Sequence, residues 1–274
     1  MTCHETPPRL HLSVDDVSAC LEALGSRAYD TPWCEPTFAV LRAFHERHGA
    51  VVSLYPFERA GSWRLADVPE RHRPHFAAAA GWLRFGFHGR DRDSDYGSVG
   101  VPLARAAGDY RRFAAEVRRF AGAAAIDRMP RVHRFLGRLD VVRAWRDQPD
   151  GVSGLLCADD ERSEVYHLGE TLREALRRDG AVFDGRERLH LAASLTRLEG
   201  AFGDVAARLD DAASTPAARA GVPICLFTHE PNLADRRVQA RIAAALRWAR
   251  RRGARHAFPL DVLEAHARAS RSCS

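Results

Sequence analysis

Seven short apolar runs, separated by amphipathic or polar stretches, constrain this chain more than any other feature. The runs are "RLHLSV" (9–14), "AVVSLY" (50–55), "RFGFH" (84–88), "RVHRF" (131–135), "GLLCA" (154–158), "RLHLAAS" (188–194) and "PICLFTH" (223–229). A weaker eighth is "ARHAFP" (254–259). Helical patterns lie between them, the clearest over 103–120, where Leu103, Ala106, Tyr110, Phe113, Val117 and Phe120 share a face opposite arginines. Residues 37–48, 196–211 and 235–252 read the same way. Strand, helix and strand in repeated alternation predict a parallel sheet with helical crossovers. No Gly-rich turn follows the first run, which favours a (β/α) barrel over a dinucleotide-binding sheet. The 274 residues suffice for one large domain with a full core. The expectation is a single domain over 1–274 with short frayed ends.

Charge narrows the partners. The 41 basic residues are all arginine and face 36 acids, leaving a net charge of +5. They are spread along the chain except at "RWARRRGAR" (247–255), the end of an amphipathic helix, where cations suit the helix dipole. No nucleic-acid partner is expected. The six cysteines, Cys3, Cys20, Cys34, Cys157, Cys225 and Cys273, form no CxxC pair, and three of them lie in apolar runs as small hydrophobes. The opening "MTCHETPPRL" has neither a basic start nor an apolar core, and no apolar run has the length of a membrane span. A cytoplasmic, reduced protein without a membrane partner is the expectation.

Polar residues gather where the predicted strands end. The first run leads into Asp15-Asp16, the third ends in His88, the fifth meets Asp159-Asp160, and the last ends in His229-Glu230. His133 lies within the fourth. One Asp is accounted for as an N-cap of the helix that follows, and His133 by itself reads more readily as a hydrogen-bonded core histidine than as a ligand. In a parallel barrel, however, all strand C-termini face one mouth, where catalytic groups collect. Carboxylate and imidazoles there suit a divalent metal, most readily Zn2+, with Co2+, Ni2+ or Mn2+ as alternatives. Such a metal acidifies water and polarises a carbonyl. A second carboxylate would take the water's proton, and a histidine across the mouth would protonate the leaving group.

These residues resemble the polysaccharide deacetylase superfamily, of the carbohydrate esterase family 4 type, as a divergent member. The family folds as an irregular (β/α)7 barrel. Its first motif, Thr-Phe-Asp-Asp, is matched by Ser13-Val14-Asp15-Asp16, which implies Asp15 as general base and Asp16 as metal ligand. Its second, His-Ser/Thr-x-x-His, is half present: His88 matches, and Arg92 stands at the second histidine. His133 is the substitute ligand, with Asp91 or Asp93 in reserve. "RMP" (128–130) resembles the family's Arg-x-Pro, implying that Arg128 orients Asp15. "LFTHE" resembles the last motif and implies His229 as the acid.

The substrate wall is read more openly. Asp159 and Asp160 would bind sugar hydroxyls or a leaving amine, or cap a helix; Trp33 would stack on a sugar or pack in the core. Arg197 and Glu199, in "TRLE", would clamp a substrate anion or form a helix-surface ion pair. The function expected is a metal-dependent hydrolase of carbohydrate metabolism that deacetylates an N-acetylated sugar or sugar-like small molecule. Arg92 keeps open a non-catalytic carbohydrate- or partner-binding barrel, and the same metal would serve another amide or a phosphate bond.

Overall fold

In the first strand, β1 (Arg9–Val17), Leu10, Leu12 and Val14 alternate with His11, Ser13 and Asp15, and all six are buried. A strand buried on both faces belongs inside a parallel sheet, between helices and a second interior. The computed structural model describes residues 7–158, 166, 168–194, 196–200 and 203–272. It places β1 in parallel register with β2 (Val52–Pro56) on one side and β7 (Ile224–His229) on the other. Next to β2 come β3 (Leu83–Gly86) and then β4 (Ile126–Asp127), again parallel.

Beyond β4 the chain stays extended. The Arg128 and Pro130 carbonyls accept from Ser153 and Leu156 at 2.8 and 3.0 Å, which joins it to β5 (Gly154–Ala158). β5 pairs in parallel with β6 (Leu189–Ser194). The continuation of β6, Thr196–Arg197, pairs in parallel with β7. Hydrogen-bonded neighbours therefore run β1-β2-β3-β4-β5-β6-β7 and back to β1, an order compatible with the irregular (β/α)7 barrel expected from the sequence. The molecule is mixed α/β with a parallel central sheet.

Two apolar clusters match this arrangement. The larger lies between strands and helices, and includes the buried face of the helix Leu103–Phe120. The smaller takes Tyr55, Met129, Leu156, Ala192 and Cys225 from five different strand segments and closes on Leu260 and Leu263 of the last helix. Polar side chains also stand on the inner faces. His11 Nε2 and Ser53 Oγ lie 3.0 Å apart, and Ser53 donates to Asp127. Burial drives the pKa of His11 down to about 3.

Three sequence expectations are corrected. "RVHRF" is not a strand: His133–Phe135 is a 3-10 turn, and the strand lies earlier, at Ile126–Asp127. The predicted helix 196–211 begins as strand, because Thr196–Arg197 extends the pairing of β6, and the helix is Val205–Ser214. The Asp pair caps nothing. The helix Ala19–Ser26 has no capping side chain at Ser18; instead Glu230 accepts from the backbone N–H groups of Ser18, Ala19 and Cys20 at 2.6–2.8 Å. Among the described residues no helix is long and apolar enough to cross a membrane.

Candidate active site

Strict alternation would send Asp15 and Asp16 to opposite faces of β1. The register with β2 slips between Val14 and Val17, and Asp16 takes φ 56, a left-handed conformation that Asp tolerates better than most side chains. This irregularity turns Asp16 toward the strand C-termini. Both carboxylates thus serve one mouth, which explains why two acids stand together at the end of a buried strand.

Asp16 meets two imidazoles there. Its Oδ1 is 3.1 Å from His88 Nε2 and 3.5 Å from His133 Nδ1, and the two ring nitrogens are 3.3 Å apart. All three ligand atoms lie within 4.8 Å of one another. His88 is just past β3. His133 is held beside it by its backbone N–H, which donates to the His88 carbonyl at 2.7 Å, and Phe57 packs against both rings. The Arg131 carbonyl, only an acceptor, lies 2.5 Å from His88 Nδ1, so that nitrogen carries the hydrogen and Nε2 presents a lone pair to Asp16. Lone pairs from three groups converging at this range need a cation or a shared proton among them. Two imidazoles and a carboxylate are a fitting donor set for a divalent transition metal. An outer hydrogen bond from histidine to a carbonyl is also how metal-binding imidazoles are commonly oriented. Burial tends to raise the pKa of Asp16, but the two imidazoles beside it, His133 and His88, hold it well below the usual carboxylate range.

Asp15 is 4% exposed and faces Arg131, itself 1% exposed; Arg131 Nη1 donates to both carboxylate oxygens at 3.1 and 3.3 Å. Nη2 of the same guanidinium donates to Ser194 at 2.8 Å, and the Phe227 ring lies 4.5 Å from its centre. The expected partner was Arg128. Its Nε instead donates to the Gly151 carbonyl at 2.9 Å, because Arg128 falls before Pro130 and faces the loop preceding β5. Arg131 was the residue missed. It stands two positions before His133 in an extended segment, where side chains at i and i+2 share a face, and that spacing was the available signal.

His229 is the register partner of Asp15 across β1 and β7. Its Nδ1 is hydrogen-bonded to Glu199 Oε1, which also accepts from Arg197 Nε at 2.7 Å. Burial lowers the His229 pKa, but the Glu199 hydrogen bond and the Asp15 charge outweigh it and raise the pKa overall. Glu199 responds in kind: burial opposes ionisation, yet hydrogen bonds from His229 and Arg197 bring its pKa to about 2. Arg197 and Glu199 do form an ion pair, though on the strand edge rather than a helix surface.

No family profile matches the chain, and no curated protein does. Solved structures align over most of its length. A family 4 carbohydrate esterase from Streptomyces lividans, in complex with acetate, covers 92% of this chain and 92% of its own at 9% identity and a TM-score of 0.42. The Bc1960 peptidoglycan N-acetylglucosamine deacetylase, bound to a substituted N-oxidanyl-benzamide, covers 92% and 86% at 11% identity and a TM-score of 0.45. Aspergillus clavatus Sph3, in complex with GalNAc, covers 87% and 98% at 9% identity and a TM-score of 0.43.

Two cavities flank the cluster. One of about 180 Å3 is lined by Asp15, His88, Arg131, His133 and His229, among others. The other, about 460 Å3, begins at Asp16 and Arg92 and runs along Ala19, Ala23 and Val40. Arg92 reaches Asp16 Oδ2 at 3.4 Å and leaves Oδ1 to the imidazoles.

The reserve ligands lie elsewhere. Asp91 is engaged by Arg59 at 2.6 and 2.8 Å and by Ser94 at 2.6 Å, and Asp93 is exposed; neither belongs to the cluster. Trp33 is not a sugar platform at this mouth. It packs on Phe38, Phe76 and Trp82, and Trp82 precedes β3, at the opposite end of the strands from His88. Asp159 and Asp160 lie outside the described residues.

Proposed function

We propose that the chain is a metal-dependent hydrolase that deacetylates an N-acetylated sugar or a sugar-like small molecule. The observation that carries this reading is the meeting of Asp16, His88 and His133 beside the cross-strand pair Asp15 and His229. Asp16, His88 and His133 would hold a divalent cation, Zn2+ before Co2+, Ni2+ or Mn2+. When bound, the cation supplies Lewis-acid activation of water and of the amide carbonyl.

The chain's own residues divide the proton traffic. Asp15, fixed by Arg131, accepts a proton from the attacking water as its oxygen bonds to the acyl carbon. His229, whose hold on its proton Glu199 strengthens, donates to the amide nitrogen as the carbon–nitrogen bond breaks, so acetate and a free amine leave. Burial of Asp15 keeps bulk water from competing for the base.

The test is elemental analysis of protein purified without chelator or a histidine tag, alongside His88→Ala and His133→Ala, followed by an amide-hydrolysis screen. Near-stoichiometric metal, lost in both variants, together with release of acetate from an N-acetyl sugar, is the expected result. A second reading, a non-catalytic sugar-binding barrel, draws on the contact of Arg92 with Asp16, which supplies a cation without any metal. Sugar binding that survives chelation and leaves the ligand unchanged would select it.

A further inference from the structure

The 180 Å3 cavity carries three arginines, Arg131, Arg134 and Arg197, against one carboxylate, Asp15. Arg131 is neutralised by Asp15. Arg197 gives its Nε to Glu199, but among the described residues its two terminal nitrogens have no acceptor, and its side chain is 56% exposed. Arg134 is exposed and has no hydrogen-bond or ion-pair partner among the described residues. The chain takes φ 57 at Arg134 and φ 59 at Phe135, a tight reversal that buries Phe135 and sets Arg134 at the cavity wall. Elsewhere the arginines of this mouth are matched: Arg92 by Asp16, Arg131 by Asp15. The donors left over belong to two side chains on opposite segments of one small cavity, one after His133 and one before Glu199. Guanidinium forks with unfilled N–H groups bind carboxylate and phosphate oxygens in preference to neutral hydroxyls.

We infer that the substrate carries an oxyanion, a carboxylate or a phosphate, and that Arg134 and Arg197 bind it while the bond to be cleaved lies at Asp15 and His229. The cleavage half of this statement rests on the hydrolase reading above; the anion half does not. Arg134 and Arg197 are specificity residues here, since neither touches the reacting atoms.

The experiment is calorimetric titration of the wild type, Arg134→Gln and Arg197→Gln with N-acetylglucosamine, its 6-phosphate, its 6-carboxylate (the uronate) and inorganic phosphate. The expected result is that at least one anionic sugar binds at least about tenfold more tightly than the neutral sugar. Each substitution then removes about tenfold, the share of one charge-assisted hydrogen bond, and added salt weakens the preference. Which anionic sugar wins identifies the oxyanion. Equal binding of all three sugars would overturn the inference, as would no binding of either anionic sugar, or a preference unchanged in both variants. Inorganic phosphate binding as tightly as the sugar phosphate would overturn it too, leaving an ion site rather than a substrate site. Because the readout is binding, the two proposals fail separately. Anion preference without hydrolysis refutes the hydrolase alone; hydrolysis of the neutral sugar without anion preference refutes this inference alone.

Discussion

Asp15 and His229 are register partners on neighbouring parallel strands, β1 and β7, so the two groups that would move protons are fixed by the main chain itself. Partners in a parallel ladder sit about 5 Å apart with side chains on a common face. Neither residue depends on a surface loop for its position.

Asp15→Asn keeps an oxygen for Arg131 and leaves Asp16, His88 and His133 untouched. The expected variant is folded, holds metal as the wild type does, and loses turnover by about 10²–10⁴-fold, the usual share of a general base. Metal content and acetate release, measured on the same preparation, check it. Full activity would remove Asp15 from the role.

Arg131 and Arg128 should part company on mutation. Arg131→Gln strands a buried carboxylate and breaks a pair of which both members are almost fully enclosed, a change that costs about 3–5 kcal/mol. Arg128→Gln removes one hydrogen bond to a backbone carbonyl, worth about 1 kcal/mol. Urea unfolding of the two variants side by side is the measurement, and equal losses would contradict the assignment of Arg131 as the partner of Asp15.

Glu199→Gln should move the alkaline limb of the pH–rate profile. In the proposed role of His229 as the acid, that limb would report loss of its proton, and Glu199 helps to raise its pKa against the effect of burial. Removing that carboxylate's charge lowers the His229 pKa, so activity must fall off at lower pH than in the wild type, with the acid limb unmoved by this route. A shift toward higher pH would reverse the sign of the argument.

Glu199 also predicts a stability profile. Its folded pKa, about 2, lies below the ordinary 4.5, so its contribution is complete above about pH 4.5 and is lost as pH falls toward 2. The wild type should lose about 1–3 kcal/mol more than Glu199→Gln across that window. Unfolding free energies at several pH values between those limits check it; parallel profiles for the two proteins would refute it.

Legibility in the sequence followed the strength of local pattern. Residues 103–120 and 154–158 were read with the bounds the structure has, one from an unbroken helical stripe and one from a continuous apolar run. β4 was missed because two ladder residues leave almost no period to detect, while the apolar alternation of "RVHRF" belongs to a turn. Asp16 and His88 could be named because each falls near a strand end, whereas His133 was named from a run that is a turn. The local backbone reversal that brings Asp16 round could not, since it depends on how β1 slips against β2. Glu230 capping a helix that starts more than two hundred residues earlier leaves no local trace at all.

That last contact has a consequence for how the molecule comes into being. Asp16, His88 and His133 all lie in the first half of the chain, whereas His229 and the Glu230 clamp on Ser18, Ala19 and Cys20 come from its final fifth. During vectorial synthesis Asp16, His88 and His133 leave the ribosome long before β7. The nascent chain therefore carries all three candidate metal-binding residues while it still lacks His229. Clamping of the first helix by Glu230 and arrival of His229 beside Asp15 become a single late event, so the last step of folding is also the one that brings the candidate site together.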